Sequence, residues 1–485
     1  MACLEYLPNE IIETIVSLLE LTDIRNLRLT SRGLALRSSG HHFKSHFRRK
    51  HVDITESTLR DFVQATKPGR LGRLVQDLVL VGVVNNTNWL RWRLEAPTFP
   101  TEKQGLEAED EAKTRQDLEV LAQRRTDYRV MRSSGTDVRL LSEAFGNLMA
   151  QDGGNNPAGG PRLRTLSLKV VVYHTDAEQR LPPKTGGWVP IWQVATETFH
   201  TALRALAISA MPVAKLDIYT QQSRSSLACS ELSAVYHESS GLVASLASVK
   251  SLSVSFSDRI ISGRRENLGI TGGSADEVDR DAPVIDDFRD NEDVEAEACD
   301  ESTFIGLVRL VQLCSGLKEL ELHHYKLGNH TVFVDLHREQ FLQRIVAMTT
   351  LTTLKRCALR GLTVREVDLL AFIKETAPAI VELTLQNVSL VSGTFRAIFD
   401  HCTSEASCLT RLFFDDLFEQ KLLYFVGEPG QSKLRSFNYQ CSETLDRTGP
   451  EVRRPISYFI PLGRPKGSPA LWQWRMRRRR EFGPP

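Results

Sequence analysis

The stretch LKRCALRGLTVREVDLLAFIKETAPAIVELTLQNV, residues 354–388, decides the fold of this chain. It holds two copies of the pattern L-x-x-L-x-L, at residues 354–359, where Cys357 takes the second position, and at residues 380–385. The L-x-L step has a period of two, which predicts a short strand with one buried face. Residues 364–376 between the copies are helical in pattern, so the predicted unit is a strand followed by a helix.

The same pattern recurs along most of the chain, and a second helical stretch is predicted at residues 394–402. In the last third the copies are about 25–37 residues apart, whereas earlier spacings are irregular and indicate insertions or missed repeats. About nine copies stand in order, at residues 75–80, 163–168, 213–218, 249–254, 317–322, 354–359, 380–385, 409–414 and 434–439.

A repeated strand-plus-helix unit resembles the leucine-rich-repeat family, which implies a solenoid. The alternative is an ordinary α/β domain with scattered strands, but nine copies in order favour a solenoid over residues 70–445. The family's usual Asn or Cys after the L-x-L step is absent, so we expect no asparagine ladder. Apolar or aromatic residues replace it, namely Val83, Tyr325, Leu362, Val388 and Leu417.

In a solenoid of this kind the strands line a concave face, and residues that alternate with the buried leucines point into it. Mixed charge with some aromatic residues suits a protein or peptide target, although a plain solvated face would have the same composition. The candidate target-binding residues are Tyr219, Glu319, Glu321, His323, Arg356, Arg360, Arg411, Phe413 and Asp415.

The first forty residues form a separate apolar unit. Leu7-Pro8-Asn9-Glu10 opens a helix whose apolar stripe is wider than one core face needs. A second helix capped at Thr22-Asp23 and a third around Leu34 are predicted to follow. A unit of about 40–45 residues cannot bury so many apolar side chains alone. It either caps the end of a solenoid or docks on a partner, and these physical arguments do not separate the two.

The pattern of this unit resembles an F-box. It reads Leu7-Pro8-x-Glu10-Ile11-Ile12-x-x-Ile15-x-x-x-Leu19, then Leu21-x-Asp23-Ile24-x-x-Leu27-x-Leu29-x-Ser31-Arg32. The resemblance implies a three-helix motif within residues 1–50 that docks on the Skp-type adaptor of cullin–RING ubiquitin ligases. An F-box followed by degenerate leucine-rich repeats is familiar from fungal proteins. The positions implied to make or support adaptor docking are Leu7, Pro8, Ile11, Ile12, Ile15, Leu19, Leu21, Ile24 and Leu27.

Three further segments interrupt or follow the repeats. Residues 95–137 are a charged insertion with a possible surface helix around Leu118 and Leu121, and residues 152–161 are a predicted loop. Residues 263–301 are acidic and predicted to be disordered, as a solvated insertion or an interaction segment. Residues 446–485 are a Pro/Arg-rich tail whose run Arg475–Arg480 is a weak nuclear import signal, or pairs with the acidic insertion.

The bulk composition narrows the class of protein. The 485 residues carry a net charge of +1, which gives no bulk attraction to nucleic acid or membrane. The 8 cysteines form no C-x-x-C pair, no apolar run reaches membrane-span length, and the N-terminus has no signal-peptide pattern. We therefore expect a cytoplasmic or nuclear protein without a metal or cofactor.

No catalytic motif stands out in the sequence. The cluster of His323, His324, His330 and His337 invites a metal interpretation, but surface histidines explain it better. The leading hypothesis is an α/β protein, a three-helix F-box followed by a leucine-rich-repeat-like solenoid. It would act as the non-catalytic receptor of an SCF-type ubiquitin ligase, binding a Skp-type adaptor and, through it, a cullin. The alternatives are a scaffold that promotes no ubiquitination and an enzyme with an unrecognised site.

Overall fold

A computed structural model describes most of the chain, in both its helical N-terminus and a mixed α/β region. The described residues are 4–95, 108–150, 163–176, 180–182, 188–222, 225–233, 239–257, 301–325, 340–428, 432, 434, 440–461 and 469–483. The helices in chain order are α1 Asn9–Ser17, α2 Leu21–Thr30, α3 Arg32–Arg37, α4 His41–Ser45, α5 Glu56–Thr66, α6 Asn88–Glu95, α7 Ala108–Ser133, α8 Thr136–Met149, α9 Trp188–Ser209, α10 Cys229–Ser233, α11 Ser240–Ala247, α12 Glu301–Leu313, α13 Gln340–Met348, α14 Glu366–Ala371, α15 Arg396–Thr403 and α16 Pro469–Phe482.

The strands form one large sheet and two small ones. They are β1 Arg49–Asp53, β2 Asp77–Asn85, β3 Leu163–Tyr173, β4 Val213–Ile218, β5 Leu227–Ala228, β6 Ser251–Ser257, β7 Glu319–His324, β8 Arg356–Arg360, β9 Thr363–Arg365, β10 Glu382–Gln386, β11 Ser389–Ser392, β12 Arg411–Asp415, β13 Tyr424–Val426, β14 Cys441–Ser442, β15 Thr444–Thr448 and β16 Tyr458–Phe459. The large sheet has the order β1-β2-β3-β4-β6-β7-β8-β10-β12-β15, with β5 beside β6. The pairs from β1 to β12 are parallel, and β15 joins antiparallel. The strands therefore lie side by side in the order of the chain.

Eight of the nine predicted copies fall on strands of this sheet, and their alternating apolar residues are buried. In β8, for example, Cys357 and Leu359 are buried while Ala358 between them is not. Helices between the strands cover the same face, so one hydrophobic cluster runs from β1 to β15. The predicted helices at 364–376 and 394–402 correspond to α14, extended by a π turn to Thr376, and to α15. Most of the ninth copy, residues 435–439, lies outside the described residues.

Each of four strands ends at a residue with positive φ. Tyr219, Gly361, Asn387 and Asp416 directly follow β4, β8, β10 and β12, with φ between 53° and 74°. Glycine, asparagine and aspartate tolerate this left-handed region better than other residues. Two of these corners lead within three residues into β9 and β11, which pair with each other in parallel. The turn at the strand end therefore repeats even though the asparagine ladder is not expected.

The N-terminal helices α1 to α4 have a core of their own. Ile12, Val16, Ile24, Leu34 and Phe43 form a cluster separate from that of the large sheet. The Ser31 side chain accepts a hydrogen bond from Leu34 N at 3.1 Å, which caps the third helix. The predicted cap at Thr22-Asp23 is wrong by two or three residues, since α2 begins at Leu21 and its N-cap is Glu20.

Several predicted boundaries are corrected by the structure. The large sheet starts at β1, ahead of residue 70, because Arg49–Asp53 pairs in parallel with β2 although it lacks the leucine pattern. The charged insertion 95–137 contains the long helix α7 at the place of the predicted surface helix; most of its residues are exposed or half-buried, whereas Leu121 is buried. The segment 446–485 is not only a tail, because it contributes most of β15, and α16 packs on the sheet. The predicted loop 152–161 and nearly all of the acidic insertion 263–301 lie outside the described residues.

Candidate functional site

Helix α1 and the residues that flank it carry two apolar stripes, and only one of the stripes is covered. Ile12, Val16 and Leu19 face the helical core at the spacing of one helix side. Ile11 and Leu18 lie beside that stripe and are 47% and 82% exposed. Pro8 is exposed and Ile15 half-buried at the same spacing. The residues Pro8, Ile11, Ile15 and Leu18 are here named the docking stripe.

The wider N-terminal unit also has an unusual share of exposed apolar side chains. Of the 17 large apolar residues that are exposed in the described chain, six lie within residues 4–46. This segment is about a tenth of the sequence, so the enrichment marks it as an interaction surface. The six are Leu4, Tyr6, Ile11, Leu18, Leu29 and Leu36.

The adaptor-binding residues predicted from the sequence divide into two groups. Ile12 and Ile24 are fully buried, so they would support a binding surface rather than line it. Pro8, Ile11 and Ile15 belong to the docking stripe. The remaining predicted residues, Leu7, Leu19, Leu21 and Leu27, pack partly buried around the helical core. The sequence did not predict Tyr6, Leu18, Leu29 and Leu36 as surface residues of this unit. Among them, only Leu18 could have been found from the helical spacing.

Polar contacts fix α1 against the other helices of the unit. Arg37 of α3 donates to Asn9 Oδ1 at 2.7 Å and to the Leu7 carbonyl oxygen, across the start of α1. The Glu13 carboxylate accepts a hydrogen bond from His42 N at 2.7 Å. These contacts fix the start and the middle of α1, which favours a preformed interface.

A second candidate surface is the polar face of the large sheet. Glu319, Arg356, Glu382 and Arg411 lie in register on adjacent strands, so their charges alternate across the sheet. Arg356 forms an ion pair with Glu319. In the next rows Arg360 donates to Glu321 at 2.8 Å and to Gln386 at 3.0 Å. This part of the face neutralises its own charges.

Helix α16 lies across the carboxyl ends of strands β7 to β12. Its backbone and side chains contact a set of polar residues that we name the ledge: His323, Arg360, Asn387, Asp415 and Asp416. The indole N–H of Trp474 donates to both carboxylate oxygens of Asp416, at 2.8 and 2.9 Å. The Phe482 ring lies 5.6 Å from the ring of His323. Four of these contacts connect residues about 60 to 160 positions apart, beyond the reach of local sequence patterns.

The predicted target-binding residues are therefore placed in three different environments. Glu319, Glu321, Arg356, Arg411 and Phe413 lie on the polar face, exposed or half-buried. His323, Arg360 and Asp415 lie beneath or beside α16. Tyr219 is buried instead, because its backbone turns left-handed after β4 and its hydroxyl donates to the Ala195 carbonyl at 2.7 Å. The prediction that Tyr219 lines the face is wrong in this respect.

The run Arg475–Arg480 is split between the two sides of α16. Arg477 and Arg478 bond to the ledge, whereas Arg475, Arg479 and Arg480 are exposed. The suggested nuclear import role of this run stays a prediction.

His323 connects the sheet to α16 through both ring nitrogens. Nε2 lies 2.8 Å from the Glu481 carbonyl, which can only accept, so Nε2 carries the proton and Nδ1 accepts from the Ser255 hydroxyl at 3.2 Å. Burial, reinforced by the positive charge of Arg360, lowers the pKa of His323 to about 3. On the ledge, burial and the neighbouring Asp415 raise the pKa of Asp416 to about 6.

We expect the buried, neutral His323 to lower the free energy of unfolding of the protein as the pH falls. Its folded pKa is depressed, so its contribution is present above the unfolded pKa of about 6.5 and is lost as pH falls toward the folded value. Between pH 7 and pH 5 the free energy of unfolding should decrease by about 2 kcal/mol more in the wild type than in His323→Gln. Urea unfolding at both pH values measures this difference, and equal decreases in the two proteins would contradict it.

The described residues contain no group of three or more His, Cys, Asp or Glu side chains that could hold a metal ion. Within the same residues, every helix is too short or too polar to cross a membrane. The prediction of surface histidines is wrong for the two described members of the cluster, because His323 and His324 are both buried, on opposite sides of β7. The other two, His330 and His337, lie outside the described residues. His323 contacts α16, whereas the His324 ring packs 5.3 Å from Phe256.

Comparison with known protein families identifies one domain. A family model described as the F-box domain matches residues 4–46, which contain α1 to α4 and the docking stripe. This domain implies binding of a Skp-type adaptor and, through it, a cullin complex. A search of curated proteins finds no match to the chain.

Proposed function

We propose, from the premise that this chain is an F-box protein, that it is the substrate receptor of an SCF-type ubiquitin ligase. The observation that carries the proposal is the docking stripe, an uncovered apolar stripe on a helical unit that has its own core. Burying Leu18 against an adaptor would contribute about 1.5–3 kcal/mol, and burying Ile11, which is already half covered, about half as much. Association by this stripe leaves the rest of the chain available for a target.

We further propose that the region after residue 48 is a leucine-rich-repeat-like solenoid. Two features support it. The strands are parallel and follow the chain order, whereas a doubly wound sheet reverses its strand order at a switch point. The left-handed corner after β8, β10 and β12 also repeats at equivalent positions. Such an array would present one continuous polar face to a target protein.

The proposed mechanism is proximity. The receptor holds a target lysine near a ubiquitin-charged enzyme, which raises the effective concentration of the two reacting groups. No general acid, general base or cofactor is required of the receptor for this role. F-box proteins are typically non-catalytic subunits, in agreement with this mechanism.

A second function remains consistent with the same surface. A scaffold would bind the Skp-type adaptor by the docking stripe but would not bring a cullin or promote ubiquitination. Recruitment of a cullin to the purified adaptor complex separates the two functions, because only the receptor requires it.

The proposal is tested by co-purification of the full chain with a Skp-type adaptor. We expect a stoichiometric complex for the wild type and an affinity lower by about 100-fold for Ile11→Asp/Leu18→Asp, since two apolar contacts are lost. Both positions are exposed, so the helical core should stay folded. Val367→Asp is the matched control, because Val367 is equally an exposed apolar residue on a helix, α14, distant in sequence from the F-box.

Each result of this experiment decides the proposal. Loss of binding only in the double variant supports adaptor docking by the stripe. A wild type that ignores the adaptor, or a double variant that binds as well as Val367→Asp, would show that the unit serves another purpose, such as capping the sheet.

A further inference from the structure

Helix α16 is amphipathic in an unusual way, because its inner face combines apolar and cationic side chains. Leu471, Trp474, Arg478 and Phe482 recur at helical spacing and turn toward the sheet, and Leu471 and Phe482 are buried. Arg478 lies 4.4 Å above the ring of Phe418 and donates to Asn387 Oδ1. The guanidinium is therefore held by an aromatic ring and an amide together.

The ledge carries acidic charge that the sheet itself does not neutralise. Asp415 accepts from Thr444 at 2.8 Å and Asp416 is 2% exposed, both at the end of β12. Among the ion pairs of the described residues, the cation that reaches them is Arg477 of α16, at 3.5 and 3.0 Å. By contrast, Glu319 and Glu321 are paired with arginines of the neighbouring strand. The ledge is thus complementary to cations supplied from outside the sheet.

The fit between α16 and the ledge is incomplete. The Nε atoms of Arg477 and Arg478 are buried without an acceptor among the described residues. Each unsatisfied buried donor costs about 1–3 kcal/mol, more for charged groups. A helix of 14 residues is also marginally stable in isolation, so α16 depends on the ledge for its order. Because of these costs, a segment that binds the ledge without unsatisfied donors can displace α16 from it.

We propose that the ledge is the target-binding site of this chain and that α16 occupies it in the absence of a target. The fitting partner is a helical protein segment that presents an indole and two guanidinium groups at the i, i+3, i+4 spacing of Trp474, Arg477 and Arg478. Such a segment would displace α16, so the C-terminal helix limits access to the site. This inference rests on the proposed receptor function, since it names the chemistry of the target.

The test uses the full-length chain and a labelled peptide of residues 469–482 as the probe. In the receiving protein, Trp474→Ala/Arg477→Ala/Arg478→Ala weakens α16 but leaves the ledge intact. We expect the peptide to bind this variant at least ten times more tightly than it binds the wild type, where α16 competes in cis. Fluorescence anisotropy measures both affinities.

Two matched controls identify the site of peptide binding. A peptide with Trp474→Ala retains all five arginines, so its net charge is unchanged, and it should bind at least ten times more weakly. Adding Asp416→Asn to the receiving variant removes one ledge charge while preserving the shape of the side chain. It should weaken binding of the original peptide by a similar factor.

Hydrogen exchange of the same proteins shows whether the sheet stays folded when α16 is weakened. We expect β10 and β12 to keep their protection in the helix-weakened variant, and α16 of the wild type to exchange faster than these strands. If the strands lose protection, α16 is an integral part of the fold and the inference is wrong. Equal peptide binding to the wild type and the variant, or no binding to either, would also overturn it.

Adaptor co-purification of the helix-weakened variant separates this inference from the proposed function. The docking stripe belongs to a different hydrophobic core from the ledge, so adaptor binding should be unchanged. Failure of peptide binding with the adaptor still bound would reject only the role of the ledge. Failure of adaptor binding with peptide exchange intact would reject only the ubiquitin-ligase role.

Discussion

Replacing Ile24 with aspartate is expected to unfold the F-box while the large sheet stays folded. Ile24 is 0% exposed in a cluster of five buried residues that is separate from the core of the sheet. A buried carboxylate without a partner costs several kcal/mol, and a unit of about 40 residues has little stability to lose. Hydrogen exchange should therefore show loss of protection in α1 to α3 and none in β7 to β12.

Leu29→Asp is the control for this prediction, because Leu29 lies on the same helix and is 84% exposed. It should leave the protection of all four N-terminal helices unchanged. Retained protection in Ile24→Asp, or loss of protection in the sheet as well, would show that the two cores are not independent. Substitutions of Ile24 are therefore unsuitable for probing adaptor contacts, since any loss of adaptor binding would follow from unfolding of the F-box.

Replacing Arg447 with alanine is expected to lower the free energy of unfolding of the C-terminal part of the sheet by several kcal/mol. Its guanidinium donates to Glu428 at 3.0 Å and to the Pro455 carbonyl at 3.3 Å, and both members of the ion pair are buried. Arg447→Ala leaves Glu428 as an uncompensated buried charge, which costs about 3–5 kcal/mol. Urea unfolding followed by circular dichroism should show a correspondingly lower midpoint for the sheet.

The neighbouring pair Arg454–Glu451 provides the matched control. Both of its side chains are more than half exposed, so Arg454→Ala should cost less than about 1 kcal/mol. The double change Arg447→Met/Glu428→Leu should recover at least half of the loss, because it removes both charges from the interior. Similar midpoints for Arg447→Ala and Arg454→Ala would contradict the prediction.

The repeated strands could be predicted because their signal is local. Burial of alternate residues in β8, β10 and β12 follows directly from the L-x-L step, and a strand of that period has one buried face. Strand β1 was missed for the same reason. Its sequence RKHVD is polar at its start and lacks the pattern, because it lies at the first position of the sheet and is exposed over three residues.

The ledge could not be predicted, because its parts meet only through long-range packing. Nothing near Trp474 in the sequence indicates that its indole reaches Asp416, 58 residues earlier. Tyr219 shows the second limit. Strict alternation places it on the polar face, but a left-handed corner ends the alternation at β4 and turns the ring inward. Which apolar residues of the F-box are covered likewise depends on the packing of α1 against three other helices.

The two edge strands of the large sheet differ in how they would pair with a strand of another molecule. Strand β1 pairs only with β2 among the described strands, and an unpaired strand edge is a template for aggregation. If a second copy added its β1 in parallel and in register, its Arg49 and Lys50 would lie opposite the same exposed cations of the first copy. At the far end, β15 runs antiparallel and so ends the parallel series. The array therefore opposes in-register pairing of two β1 edges by electrostatic repulsion, and its parallel series does not extend beyond β15.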